Sequence, residues 1–384
     1  MEKGDQPELD DSPEVGPDGV DRYQSLLGAT QWTISLCCFD VMHACMSLGR
    51  FRASPRQGHL ERLKRVVGYM KKRAGGAIRF RTGIPDWEAI FDQDAVRHDW
   101  MESIYGCPPE DVDPKAPTPK GKQVRTTSFV DANLMHDAVT GRSCTGIIEC
   151  VNQTPMDWFS KRQNQVETAT HGSEFMAARQ ATERIIDLRY TLQSFGVPID
   201  GAAWMFGDNK SVVTSSTIPH STLGKRWNAL SHHRVREAIA GGWLRFENIP
   251  GTENPADIMT KPLAWHVLQQ YVEPMLLWKG ETLDAPSGSP NPEGSDAGPG
   301  LNGSRVDAES RIPDGNGQGR ARLNDTNANS DASAPIHGAI LPALWNNQCA
   351  ALADTEEATQ MVFDGESVVW NATSLSHNLS NRLV

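Results

Sequence analysis

The chain has 384 residues, a formal net charge of -11 and a hydrophobic content of 38%, with 33 glycines and 24 prolines. That length allows two ordinary domains, but this composition excludes a chain packed from end to end. No run of about eighteen apolar residues exists and the acidic N-terminus has no apolar core, so neither a membrane span nor a secretory signal is expected. Residues 1–22 carry a charge of about -6 and read as a disordered acidic arm. Residues 23–82 read as a helical region. Leu26, Leu27, Trp32, Ile34 and Leu36 fit one helix, with a break near Cys38–Asp40 before a second. A third helix runs from about Pro55 to Gly75, with Leu60, Leu63, Val66, Val67 and Met70 on one face. Its other face carries Arg62, Lys64, Arg65, Lys71, Lys72 and Arg73. Residues 50–82 hold about eleven Arg and Lys against one acid, Glu61. Residues 83–123, broken by several prolines, read as an irregular connector.

Residues 124–278 have the pattern of an α/β unit. Thr126 to Asp131, Ser143 to Val151 and Pro155 to Ser160 fit three strands of an antiparallel meander. A long helix is expected from about Ser173 to Phe195, then a short apolar strand from Ala203 to Gly207. A short helix at Lys210 to Ser216, a helix at Ser231 to Ala240, a strand at Trp243 to Ile249 and a last short helix at Asn254 to Met259 complete the unit. Residues 279–335 are glycine-, asparagine- and serine-rich and read as a disordered linker. Residues 336–384 form a tail without a clear period. Residues 280–384 together carry about -9, so the body between the two acidic ends is mildly basic. The seven cysteines form no CxxC pair. An odd count without a leader points to reduced thiols in an intracellular protein of the cytoplasm or nucleus.

Four acids sit where an acid is awkward for folding. Asp131 and Asp208 end apolar strands. Glu174 lies on the core-facing stripe of the long helix, in line with Ala178, Ala181, Ile185, Leu188 and Leu192. Asp257 opens the last short helix, where an acid is favourable in itself. Carboxylates gathered at one sheet edge would repel unless bound to a cation. Oxygen-only ligation suits Mg²⁺ or Mn²⁺. Two such ions about 3.5–4 Å apart can hold a phosphodiester between them, and the expected products are a 3′-hydroxyl and a 5′-phosphate.

The order strand-Asp, helix-Glu, strand-Asp, helix-Asp resembles the ribonuclease H superfamily. The words FVDANL, GSEFMAAR, FGDNKSVV, HRVREAI and IPGTENPADIMTKPL are similar to the ribonuclease H region of copia-type LTR retrotransposon polyproteins. The segment from YQSLLGATQW to KRVVGYMKK resembles the stretch joining polymerase to nuclease in that family, so the resemblance covers about residues 5–278. It implies a ribonuclease H-like fold, a mixed five-stranded sheet flanked by helices, behind the connection region of a reverse transcriptase. It implies Asp131, Glu174, Asp208 and Asp257 as catalytic and metal-binding residues, Mg²⁺ or Mn²⁺ as cofactor, and cleavage of the RNA strand of an RNA–DNA hybrid. No Tyr-x-Asp-Asp polymerase sequence is present, so the missing polymerase portion of a parent polyprotein is a further expected partner. No membrane and no small-molecule cofactor are expected.

The loop before the fourth acid, Pro250 to Pro255, lacks the histidine of cellular ribonucleases H, and Trp227 stands where close relatives often carry histidine. His232 and His233 are auxiliary candidates, although a plain helix-face role fits them somewhat better. Asn209 either orients Asp208 or caps the next helix. The basic helix face either contacts nucleic acid or is solvated. Beside the enzyme stands a second reading, a catalytically inactive relic that folds and at most binds nucleic acid. Trp227 and the missing polymerase favour it; the intact acid quartet favours the enzyme.

Overall fold

The computed structural model describes residues 4–277, apart from 74–75, 92–104, 106–109, 111, 220 and 225. The expected linker at 279–335 and the tail at 336–384 lie outside the described residues.

Three helices come first: α1 (Pro17–Leu36), α2 (Met42–Gly49) and α3 (Gln57–Lys72). The break expected near Cys38–Asp40 is a 3₁₀ turn at Phe39–Val41. Tyr23, Leu26, Leu27, Leu48, Leu63 and Val67 form the core among them, and the Tyr23 hydroxyl donates to the Leu48 carbonyl at 2.7 Å.

The acidic arm is not solvated as expected: the described part, from Gly4 on, packs on α3. Its acids find cations there. Arg62 donates to Asp5 at 2.9–3.0 Å and also bonds Asp10. His59 Nε2 meets the Pro7 carbonyl at 2.8 Å, and Val15 is buried. Composition alone argued for a free arm because the charges that neutralise it lie some fifty residues away, out of reach of any local pattern.

The connector contributes to the core. Trp87 is fully buried, edge-on to Phe206 at 4.9 Å, and its indole donates to Thr127 at 3.2 Å.

The main sheet has five strands: β2 (Thr126–Asn133), β3 (Cys144–Val151), β4 (Thr154–Arg162), β5 (Ala203–Gly207) and β6 (Leu244–Asn248). Their order is β4-β3-β2-β5-β6, with β2, β3 and β4 antiparallel and β5 and β6 parallel to β2. Between them come α4 (Thr170–Ser194), α5 (Lys210–Thr217) and α6 (Ala229–Ala240). Side chains alternate across the sheet. Val130, Ile147, Met205 and Phe246 pack with Ala178, Ala181 and Ile185 of α4 and Val235 of α6. Phe129, Ile148, Trp204 and Phe206 meet Ile258, Met259, Tyr271 and Met275 on the other face. This is the mixed five-stranded, helix-flanked sheet of a ribonuclease H-like fold.

Three elements were not anticipated. Helix α7 (Trp265–Val272) closes the second face, and β7 (Leu276–Leu277) pairs antiparallel with the earlier β1 (Ala77–Ile78). The chain segment after α3 is thereby joined to the end of the sheet domain, and Phe39 of the helical region enters the same core.

Candidate active site

The carboxyl ends of β2 and β5 lie side by side because the two strands are parallel. Asp131 is two residues past Phe129, and Asp208 two past Phe206, so period-two alternation sends both acids to the same face as those rings. On that face the 3₁₀ helix Pro255–Met259 presents Asp257. Carboxylate oxygens of Asp131, Asp208 and Asp257 all lie within 4.8 Å of one another. Glu174 is not one of these three, but it feels the charges of Asp131, Asp208 and Asp257. It is 9% exposed near the start of α4, as its helical stripe requires.

The 3₁₀ helix is held by named bonds. Asn254, fully buried, donates to the Val130 carbonyl at 2.9 Å and accepts from the Ala256 amide at 3.1 Å. Ser160 donates to the Met259 carbonyl at 2.6 Å, and Asn133 donates to the Thr260 carbonyl at 3.2 Å. Gly146, opposite Asp131 on β3, leaves the helix its space: a Cβ there would stand 2.7 Å from Met259 Cβ and 2.9 Å from the Ala256 carbonyl oxygen.

The electrostatics follow from crowding. Burial, then the Asp131 charge, pushes Asp257 up to about 7. The same two causes raise Asp208, and burial with Asp131 and Asp208 raises Glu174 well above the carboxylate range. A cation already answers part of this charge. The Lys261 ammonium is 2.8 Å from Asp257 Oδ1 and 3.6 Å from Asp131 Oδ2. Burial opposes its charge, but Asp131 and Asp257 outweigh burial and hold Lys261 well above the ordinary lysine range. The Thr260 hydroxyl donates to Asp131. Lys261 and Thr260 were not picked out in the sequence. The signal available was the i, i+4 spacing of Asp257 and Lys261, with Pro262 ending the helix. Three converging carboxylate oxygens, with no sulfur or imidazole among them, fit a hard divalent cation.

The remaining candidates fall elsewhere. Asn209 caps α5, its side chain accepting from the Val212 amide at 3.3 Å. His232 is 2% exposed and packs on Phe175, and burial, then Arg236, lowers it to about 4. His233 Nδ1 lies 2.8 Å from the Tyr105 hydroxyl. Trp227 is 62% exposed. On α3, Arg62 is tied to the arm, Lys64 pairs with Glu61 at 2.8 Å, and Arg73 lies 4.3 Å over the Trp265 ring. Arg65, Lys71 and Lys72 carry the exposed part of that face.

The sheet order is that of a ribonuclease H-like fold. The sequence relatives are retrovirus-related Pol polyproteins of plant transposons. One is that of transposon TNT 1-94 from Nicotiana tabacum, 23% identical over 62% of this chain and 15% of its own length. Another is that of transposon RE1 from Arabidopsis thaliana, 21% identical over 65% of this chain and 14% of its own length. The chain thus spans about a seventh of the length of the curated relatives it matches. No family model matches. Solved structures similar to it include the N-terminal RNase H domain of a Mycobacterium tuberculosis protein, 15% identical over 36% of this chain and 91% of that one, with a TM-score of 0.28. RNase H1 of Halobacterium salinarum is 15% identical over 36% and 95%, with a TM-score of 0.27. No helix among the described residues is long and apolar enough to cross a membrane.

Proposed function

We propose that the chain is a divalent-metal-dependent ribonuclease that hydrolyses the RNA strand of RNA–DNA hybrids. The observation that carries this is the convergence of Asp131, Asp208 and Asp257 oxygens within 4.8 Å at the ends of the central strands. Asp131, Asp208, Asp257 and Glu174 would hold Mg²⁺ or Mn²⁺. When bound, the cations neutralise the phosphodiester and favour attack by water on phosphorus. The protein's share is placement. β2 and β5 fix Asp131 and Asp208, and Asn254 fixes the helix that presents Asp257. Hydrolysis adds water across the P–O3′ bond, leaving a 3′-hydroxyl that takes the proton and a 5′-phosphate. A duplex of this kind is recognised through its shape and 2′-hydroxyls rather than base sequence.

The test is cleavage of a labelled hybrid by the full chain and by Asp208→Asn, with Mg²⁺, Mn²⁺ or chelator. Metal-dependent cutting confined to the unmutated chain is the expected result. One observation favours the second reading, a relic that folds and at most binds nucleic acid: Lys261 already compensates two of the acids. A folded chain that cuts under no metal would establish that reading instead.

A further inference from the structure

A second charged feature lies at the same end of the sheet and belongs to neither the acidic cluster nor α3. Where α1 and α2 face the end of β4, a groove of about 550 Å³ opens. Its lining includes Arg50, Arg52, Arg142, Lys161 and Arg162 and no carboxylate. Five cations in one groove are unfavourable for folding unless something answers them. Part of the answer is internal. Asp137, fully buried, takes Arg50 at 2.7 Å and Arg162 at 2.5 Å. That carboxylate locks a guanidinium from the helical region and one from the sheet into a common wall. Arg52, Arg142 and Lys161 have no acidic partner among the described residues, and Arg52 and Lys161 are exposed.

Position gives the groove its meaning. In the ladders, Asp131 pairs with Gly146 and Gly146 with Ser160, the residue before Lys161. Two interstrand spacings and one residue step put the Lys161 Cα roughly 10 Å from that of Asp131. That is about three nucleotide steps at 3.4 Å of rise per strand. Lys161 itself turns to the other side of the strand, but Ser160 and Arg162, which also line the groove, share the face of Asp131, so a polyanion bound at the acidic cluster would reach the groove within the same half-turn.

We infer that this groove holds the sugar–phosphate backbone of the hybrid beside the cleavage site, with Arg52, Arg142 and Lys161 as phosphate contacts and Arg50 and Arg162 as walls set by Asp137. This rests on the nuclease reading for the identity of the duplex, but not for the presence of a polyanion site. The contacts are to phosphate, so they position the duplex without reading its sequence.

The test uses the full chain carrying Asp208→Asn in Mg²⁺, so that cutting does not interfere, and a fluorescent hybrid titrated across a range of KCl. Adding Arg52→Gln, Arg142→Gln and Lys161→Gln should flatten the plot of log affinity against log salt by about 2–3 and weaken binding at 0.1 M salt about tenfold or more. A charge-matched control removes Lys115, Lys120 and Lys122. Lys120 donates its amide to Gly196, past the far end of α4, a helix of roughly 37 Å. The control should leave the slope nearly unchanged. An unchanged slope in the groove variant, an equal fall in the control, or binding of polyglutamate in place of hybrid would overturn the inference. The nuclease reading fails separately, by absence of cutting in the unmutated chain. A chain that cuts yet keeps its slope in the groove variant refutes the groove alone.

Discussion

Gly146 stands directly across the β2–β3 ladder from Asp131, and the space its missing side chain leaves is filled by the 3₁₀ helix that carries Asp257. One acid is thus positioned by a strand and another by the absence of a side chain on that strand's neighbour. Gly146→Ala is expected to push the helix outward, because a Cβ there would meet the Ala256 carbonyl at 2.9 Å. The stability cost should be about 1–3 kcal/mol. Cleavage should fall more steeply than stability, by about a hundredfold, since small misplacements of reacting groups are that costly. Denaturant unfolding together with hybrid cleavage checks both, and an active, stable variant refutes the account.

Asn254 does a related job through hydrogen bonds. Asn254→Ala leaves the Val130 carbonyl and the Ala256 amide without their side-chain partner. The expected loss is about 1–3 kcal/mol, with a drop in cleavage. Asn254→Asp should not rescue, because a carboxylate cannot donate to the Val130 carbonyl.

Lys261 and a divalent cation answer the same charge. Lys261→Ala should lower the melting point in chelator, by the equivalent of about 1 kcal/mol or more, since the lysine side chain is 36% exposed while its two carboxylates are largely buried. Mg²⁺ should then raise the melting point of the variant more than that of the unmutated chain, following the mass-action rise of any ligand that binds only the folded state. Equal Mg²⁺ shifts in the two proteins would separate Lys261 from the cluster.

Glu149, on β3, is fully buried with neither carboxylate oxygen hydrogen-bonded. Burial, then the charge of Asp157, raises it well above the carboxylate range. A raised folded-state value means that the folded chain holds this proton more tightly than the unfolded chain. Its stabilising contribution is complete at low pH and is lost as pH climbs through the folded value. Glu149→Gln removes that loss. The variant should match the unmutated chain near pH 4 and exceed it by about 1–3 kcal/mol at pH 8, as thermal melts at both pH values will show.

Much of the sheet domain was legible in the order of residues. Strands at Asp131, Cys144 and Ala203 and the stripe of α4 follow from short-period alternation and helical spacing, and the acids stand out because each interrupts an apolar pattern. Helix α7 and the β1–β7 pair were missed. Val272 and Leu276 make sense only against a core assembled from Trp87, Phe206 and Tyr271, far apart in the chain. Glu174 shows the same limit: its stripe placed it on the buried side of α4, while its nearness to the charges of Asp131 and Asp208 depends on how α4 lies on the sheet.

By itself, then, the sequence determined which residues would be strand, helix or buried acid, because those depend on periodicities of two and 3.6 residues within a short window. Only the tertiary structure decided that Asp5 and Asp10 would occupy Arg62, that Lys261 would stand between Asp131 and Asp257, and that Arg52, Arg142 and Lys161 would share one groove. Charge interactions act through space over a few ångströms, and the partners in the arm and the groove come from segments that no local pattern connects.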